Sequence, residues 1–243
     1  MEINFFSAYE LFSTAKDFDG DPILGGSISK WKKATTAFQL KVLMHLSKKE
    51  SDADLKVKER FARIVASGSL MESNEDNLQM KYADKANTVY PFHNTNTKHA
   101  GYAMLSTMLI DKFKATGDIR MFYYAKPAKA KLNEGVTADS WDAYIGTDPS
   151  LPFEQIEKAY ATEQYSGFNA RYTDYPSGEP VVRLGYAEQN FILAEAAVRG
   201  WISGDASAYY KKAIRAHMEF IASNTPDAVS YTHLRAHETE ADL

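Results

Sequence analysis

Leu184-Gly185-Tyr186-Ala187-Glu188-Gln189-Asn190-Phe191-Ile192-Leu193-Ala194-Glu195-Ala196 opens a helical hairpin. From Tyr186 to Arg199 the chain is strongly helical, and Gly200 supplies the stop. A second helix runs from Ala206 to Ala222 and closes before Pro226. The two are expected to form an antiparallel hairpin. Ala194, Ala206 and Ala213 would meet at the close contact, with Tyr210 filling the groove between the helices.

Working outward, Ser29 to Lys49 carries Trp31, Ala34, Phe38, Val42 and Met44 to Leu46 at helical spacing, after the turn-rich Asp19-Gly20-Asp21-Pro22 and Gly25-Gly26. Ser51 can cap a further helix with Asp54 at its third position, burying Leu55, Phe61, Ile64 and Val65 before Gly68. Leu193-Ala194, Ala206, Tyr210 and Ala213 fall at the small and aromatic positions of a tetratricopeptide repeat, and Trp31 and Phe38, seven apart, give a weaker echo. Residues 69 to 95 suit irregular structure or short strands, and Thr97 to Thr116 reads as a helix closed by Gly117. From Asp118 to Pro180 aromatics alternate with Gly, Pro, Asp and Ser without a sustained period. The fold class is therefore mainly α: tetratricopeptide-like helical hairpins with a large irregular, loop-rich insertion.

At 243 residues, 44% hydrophobic and 25% charged, the composition is that of a globular chain, and no run approaches the roughly 20 apolar residues of a membrane helix. A net charge of -4 argues against a nucleic-acid partner, and the absence of Cys excludes disulfides, thiolate metal sites and Cys nucleophiles. Other motifs read as structure. Gly20 to Ser27 misses a phosphate loop because Gly26 stands where the Lys is needed, and Asp17, Asp19 and Asp21 lack the Gly placement and closing Glu of a calcium loop. His93 and His99 have no partner at a metal-ligand spacing, and no Glu of the zinc-protease kind lies between His233 and His237. Glu188 and Glu195 share a helix face and suit packing or capping. Neither an enzyme, a cofactor nor a metal site is expected.

The periodic aromatics Trp31, Phe38, Tyr186, Phe191, Tyr210 and Phe220 read as core, leaving those of the irregular stretch as candidates for a binding face. Trp141 and Tyr144, three apart beside Asp142 and Gly146, lead as a stacking platform, followed by Tyr123, Tyr124, Tyr165, Tyr172 and Tyr175. A sugar ring stacks its C–H face on an aromatic while its hydroxyls need polar neighbours, which Asp142, Asn169, Arg171 and Asp174 supply. A peptide would use a similar set.

Asp21-Pro22-Ile23-Leu24-Gly25-Gly26-Ser27-Ile28-Ser29-Lys30-Trp31 resembles the lead-in to a helix in SusD/RagB-like proteins, and the stretch 184–196 resembles that family's tyrosine-alanine-glutamate helix. Gly117-Asp118-Ile119-Arg120, Gly200-Trp201 and Tyr209-Tyr210-Lys211-Lys212-Ala213-Ile214-Arg215 continue the likeness. The resemblance implies an outer-membrane lipoprotein at the cell surface that captures oligosaccharides, or in some relatives peptides, and delivers them to a TonB-dependent, SusC-like transporter. A partner-binding scaffold and a glycan-cleaving enzyme are the competing readings. The expected organisation is one partial SusD/RagB-like domain over residues 1–228, with a capture region at about 118–180, lacking both ends of the family fold with its signal peptide and lipidated Cys. Residues 229–243 read as a non-native tail.

Overall fold

A computed structural model describes residues 11–12, 14–96 and 103–225, which fall into two compact units. The described residues up to Lys81 join Pro180–Ser223 in the first, and those of Tyr82–Glu179 make the second. In chain order the elements are α1 (Ile28–His45), α2 (Val57–Ala66), β1 (Leu78–Met80), α3 (Thr107–Thr116), the short α4 (Met121–Tyr124) and α5 (Lys129–Asn133), α6 (Phe153–Ala161), the short α7 (Ala170–Thr173), β2 (Val181–Leu184), α8 (Tyr186–Val198) and α9 (Ala206–Ser223). The fold is mainly α, with β1 and β2 an antiparallel pair in the register Leu78 with Leu184 and Met80 with Val181.

The turn before α1 shows what the Asp and Gly residues do. The Asp21 carboxylate accepts from the amides of Ile23 (2.9 Å), Leu24 (3.2 Å) and Gly26 (3.0 Å) and from Trp31 Nε1 (2.8 Å). These donors, the Ile23 amide foremost, hold its carboxyl below the ordinary carboxylate range. Gly26 has a φ of +70°, and a Cβ there would stand 1.6 Å from the carbonyl oxygen of Phe18, so only glycine fits. Asp17 accepts from the amide of Ile28. The turn is a start signal for α1, whose N-cap is Ser27.

α2 begins six residues after Ser51. Asp52, not Ser51, takes the free amides, accepting from Asp54 (3.0 Å) and Leu55 (3.2 Å), and Lys56 is left-handed, so the helix starts only beyond it. Leu40, Leu43, Met44, Val57, Phe61, Leu193, Ala196 and Trp201 then form one buried cluster from both hairpins. The Trp201 ring meets Phe61 edge to face at 5.4 Å and its Nε1 donates to Glu50 at 2.8 Å. Gln189, buried on α8, accepts from the amide of Met71 and donates to its carbonyl, so the segment ahead of β1 is tied to the helix. Glu188 pairs with Lys41 and Glu195 with Arg199.

α8 and α9 pack along their length, with Ala194 and Ala213 buried and Ala206 half-buried. Tyr210 does not fill the groove: it is 54% exposed, and Tyr209 packs on the core instead. The column Ala206, Tyr209, Ala213 (i, i+3, i+7) is the inward face, and one residue's rotation carries Tyr210 about 100° away from it.

In the second unit Ala103 to Ser106 are extended, not helical. Leu105 donates its amide to Ser166 at 2.8 Å and Met104 bridges Gly167, so α3 begins only at Thr107, capped by Ser106. Residues 97–102, with His99 and Tyr102, lie outside the described residues, as do 229–243 with His233 and His237. α6 stands in the stretch read as aperiodic. Its Phe153, Ile156 and Tyr160 are spaced three and four apart, a pattern nine residues long and flanked by Pro152. Leu105, Ile110, Met121, Ala125, Ala143 and Tyr144 make this unit's core cluster.

Candidate functional site

Residues 140–147 pack onto the start of α3. Ser140 caps a single 3-10 turn, Trp141–Ala143, by accepting from the amide of Asp142. Past the turn, Thr147 and Leu105 share a backbone bond of 2.8 Å, and Thr107 donates to Thr147 at 3.1 Å. A Cβ on Gly146 would lie 2.4 Å from the Cα of Thr107, so a glycine is required for this approach. Beside it opens a hollow of about 590 Å³, lined by Thr107, Asp111 and Lys114 of α3, Lys131 of α5, and Val136, Asp142, Tyr144, Ile145 and Gly146.

Thr107, Asp111 and Lys114 are spaced four and three, so one face of α3 forms a wall that no sequence motif marks. Its signal was a polar stripe on an otherwise ordinary helix. Lys131 is paired with Glu134 at 2.6 Å, whereas Asp111, Lys114 and Asp142 make no ion pair among the described residues. The lining thus combines carboxylate acceptors, ammonium donors and a hydroxyl with Val136, Ile145 and Tyr144.

Tyr144 and Trp141 are not a matched pair of open rings. Tyr144 is 4% exposed, stands edge-on to Phe122 at 5.2 Å and donates its hydroxyl to the carbonyl of Ala138 at 3.0 Å. Burial pushes its hydroxyl up to about 12. The half-buried Trp141 leans on the same Phe122 at 5.0 Å. Tyr123 is core, at 3% exposed, and Tyr124 stacks on Phe113 at 6.0 Å. Tyr165 stacks on Tyr160 at 5.4 Å. The physical reason is shared: a unit with short helices has few periodic apolar faces, so its loop aromatics fill the interior.

Asn169, Arg171 and Tyr172 form a separate cluster. Asn169 caps α7 through Arg171 N and donates to the carbonyls of Phe122 (3.0 Å) and Ala125 (3.4 Å), which uses its amide on the backbone. Arg171 is 1% exposed. Its guanidinium lies 5.3 Å from the Tyr124 ring and 4.4 Å from that of Tyr172, Nη2 donates to the Tyr172 hydroxyl, and Nη1 stands 2.7 Å from Glu179 as an ion pair without hydrogen-bond alignment. Burial raises the carboxyl of Glu179, with Arg171 opposing, and likewise raises the Tyr172 hydroxyl. Asp174 is held by Lys126 and Asn94, each at 3.0 Å. Of the nine sequence-selected residues, Asp142 and Tyr144 share the hollow, Trp141 adjoins them in sequence, and Tyr123, Asn169, Arg171 and Tyr172 serve the interior.

Compared with known proteins, residues 5–241 match the family model SusD-like_2, described as starch-binding associating with outer membrane. Among solved structures, a SusD homologue of Bacteroides fragilis is 96% identical with a TM-score of 0.83, over 94% of this chain and 48% of its own. An outer-membrane protein of Bacteroides vulgatus, described as involved in nutrient binding, is 34% identical with a TM-score of 0.76, over 90% and 48%. A second SusD homologue of B. fragilis is 33% identical with a TM-score of 0.78, over 93% and 49%. The chain spans about half the length of each of these structures. No curated protein matches it.

Proposed function

Since the chain belongs to the SusD-like family of starch-binding, outer-membrane-associated proteins, we propose that it captures oligosaccharides at the cell surface without cleaving them and hands them to a TonB-dependent transporter. The hollow beside α3 is the observation that carries this reading. At about 590 Å³ it lies within the range of small-ligand sites, roughly 300–1,000 Å³, and it mixes carboxylates, ammonium groups and a hydroxyl with apolar side chains. Such a lining suits a polyhydroxylated ligand, whose hydroxyls both donate and accept while its C–H faces rest on carbon. Asp142 and Tyr144 of the lining, with Trp141 beside them in sequence, take the roles that the open stacking pair would have taken. Tyr165 is the next candidate, half-buried against Tyr160.

In this reading one partial SusD-like domain covers residues 1–228, and 229–243 are a non-native tail. Among the described residues no helix is long and apolar enough to cross a membrane. In this reading the protein is held at the outer membrane as a lipoprotein.

Calorimetry with starch, chitin and other oligosaccharides, with a peptide mixture alongside, tests the reading. A capture protein must also release its cargo, so affinity between about micromolar and millimolar is expected. Trp141→Ala with Asp142→Ala should weaken binding at least tenfold and leave far-UV circular dichroism unchanged. Wild-type affinity in that variant removes the site. Binding of peptides alone transfers the protein to the peptide-capture members, and shortened sugars in the reaction mixture make it an enzyme. Copurification of a TonB-dependent transporter from outer membranes tests delivery, and a chain cut after residue 228 should bind as the whole chain does.

A further inference from the structure

Tyr82 and Glu179 are the first and last residues of the stretch that makes the second unit, and both ends of that stretch meet on one cluster around Arg171. At the entry, the Tyr82 ring stands edge-on to Tyr90 at 5.1 Å, and the buried Tyr90 stacks on Tyr172 of α7 at 6.3 Å. The exit segment lies along this entry. Tyr90 donates its amide to the carbonyl of Pro176 at 2.7 Å, Asn94 donates to that of Thr173 at 2.9 Å, and a Cβ on Gly178 would stand 2.2 Å from the Tyr90 ring. Tyr172 joins the two ends, its ring against Tyr90 and its hydroxyl accepting from Arg171, which pairs with Glu179.

The two charges are not equally served. Arg171 has the faces of Tyr124 and Tyr172 and the Tyr172 hydroxyl, whereas Oε2 of Glu179 is buried without a hydrogen-bond partner and has Arg171 as its one counter-charge among the described residues. The other ionisable groups around Glu179 are the hydroxyls of Tyr90, Tyr124 and Tyr172, which burial raises further and so keeps neutral. The Asp118–Arg120 pair acts on Tyr124, and the Lys126–Asp174 pair sits at the end of α7. A buried carboxylate held by a single unaligned pair is more costly ionised than protonated. We propose that Arg171 and Glu179 are a proton-operated clasp on the second unit, shut over both ends of its chain while Glu179 is neutral and loosened when that carboxyl ionises. Entry and exit loosen together, because Tyr90 and Tyr172 connect them.

Hydrogen exchange of the whole chain, read by mass spectrometry between pH 4 and pH 7 and corrected for the intrinsic effect of pH, tests the clasp. Peptides carrying the bonded amides of Tyr90 and Asn94 report on the entry, those of Asp174 and Gly178 on the exit, and those of α1 and α8 serve as reference. Relative to the reference, protection at both ends should fall about threefold or more as pH rises in the wild type. It should stay level in Glu179→Gln, which keeps a neutral side chain able to accept from Arg171. Arg171→Met should steepen the fall, since nothing then offsets the ionised carboxyl, and the Glu179→Gln comparison decides alone if that variant does not fold. A wild-type profile as level as that of Glu179→Gln overturns the proposal, and so does a fall confined to the exit or shared equally by α1 and α8. His93, exposed on the entry segment, is the control. A fall that His93→Asn abolishes, or that Glu179→Gln retains, belongs to another group and overturns the clasp.

Discussion

In the unit holding α1, α2, α8 and α9, helices meet through Leu40, Leu43, Phe61, Leu193, Ala196 and Trp201, and the helical period itself chooses which side chains go in. In the unit of Tyr82–Glu179, the interior is filled by Met121, Ala143, Tyr144 and Tyr123, with Arg171 caged by Tyr124 and Tyr172. Those residues come from short helices and loops, so no single period selects them. The same residue type therefore carries different information in the two regions. Helical spacing sorts the aromatics only in part, since Phe61 goes in while Phe38, Phe191 and Tyr210, all expected in the core, stay 40–54% exposed; an aromatic in a loop is decided by what the loop lies against.

Four measurements test that contrast. The largest effect is expected at Trp201, where truncation to Ala empties the space beside Phe61 and removes the donor to Glu50. A loss of about 3–5 kcal/mol in denaturant unfolding is expected, and a loss below about 1 kcal/mol would show that the helical unit does not depend on this ring. Next, Ala213→Phe should overpack the contact of α8 with α9 and cost about 1–3 kcal/mol. An unchanged Tm there would mean that the close approach of these helices is dispensable.

Trp141→Ala in the second unit should cost only about 1 kcal/mol, since the ring is half-buried against Phe122. Hydrogen exchange resolved by unit separates it from Trp201, and equal costs at the two tryptophans would erase the contrast. The smallest effect is one of sign with pH. The lowered carboxyl of Asp21 contributes stability present above its unfolded value of 3.8 and lost as pH falls through the folded value. The raised carboxyl of Glu179 works oppositely: its contribution is full below the unfolded 4.5 and is lost as pH rises through the folded value. The difference in stability between wild type and Glu179→Gln should therefore shift against the wild type on going from pH 4 to pH 7. A difference that is flat with pH, or of reversed slope, would show that Arg171 fully compensates the burial.

Much of the helical unit was legible in the chain because its signals are local. Tyr186 to Arg199 and Ala206 to Ala222 are helices within one residue of the observed ends, since propensity, Gly200 and the small-residue spacing all act over a few positions. The same locality misled at Ser51, where the neighbouring Asp52 competes for the same amides, and at Ala103–Ser106, where pairing with Ser166 and Gly167, some sixty residues on, overrides the helical pattern. Within the site, Asp142 and Tyr144 were found by composition, but Thr107, Asp111, Lys114 and Lys131 were not, because what groups them is the packing of 140–147 against α3.

The family, the mainly helical class and the turn that starts α1 are legible from the chain alone. Each rests on residues whose partners lie close in the chain, as Asp21, Gly26 and Trp31 do. Which aromatics face outward, the entry of Tyr209 and not Tyr210 into the core, and the wall that one face of α3 makes beside Asp142 are settled by packing. Those outcomes depend on contacts between residues tens of positions apart, and a ring's exposure is a property of the surface laid over it, which no local spacing encodes.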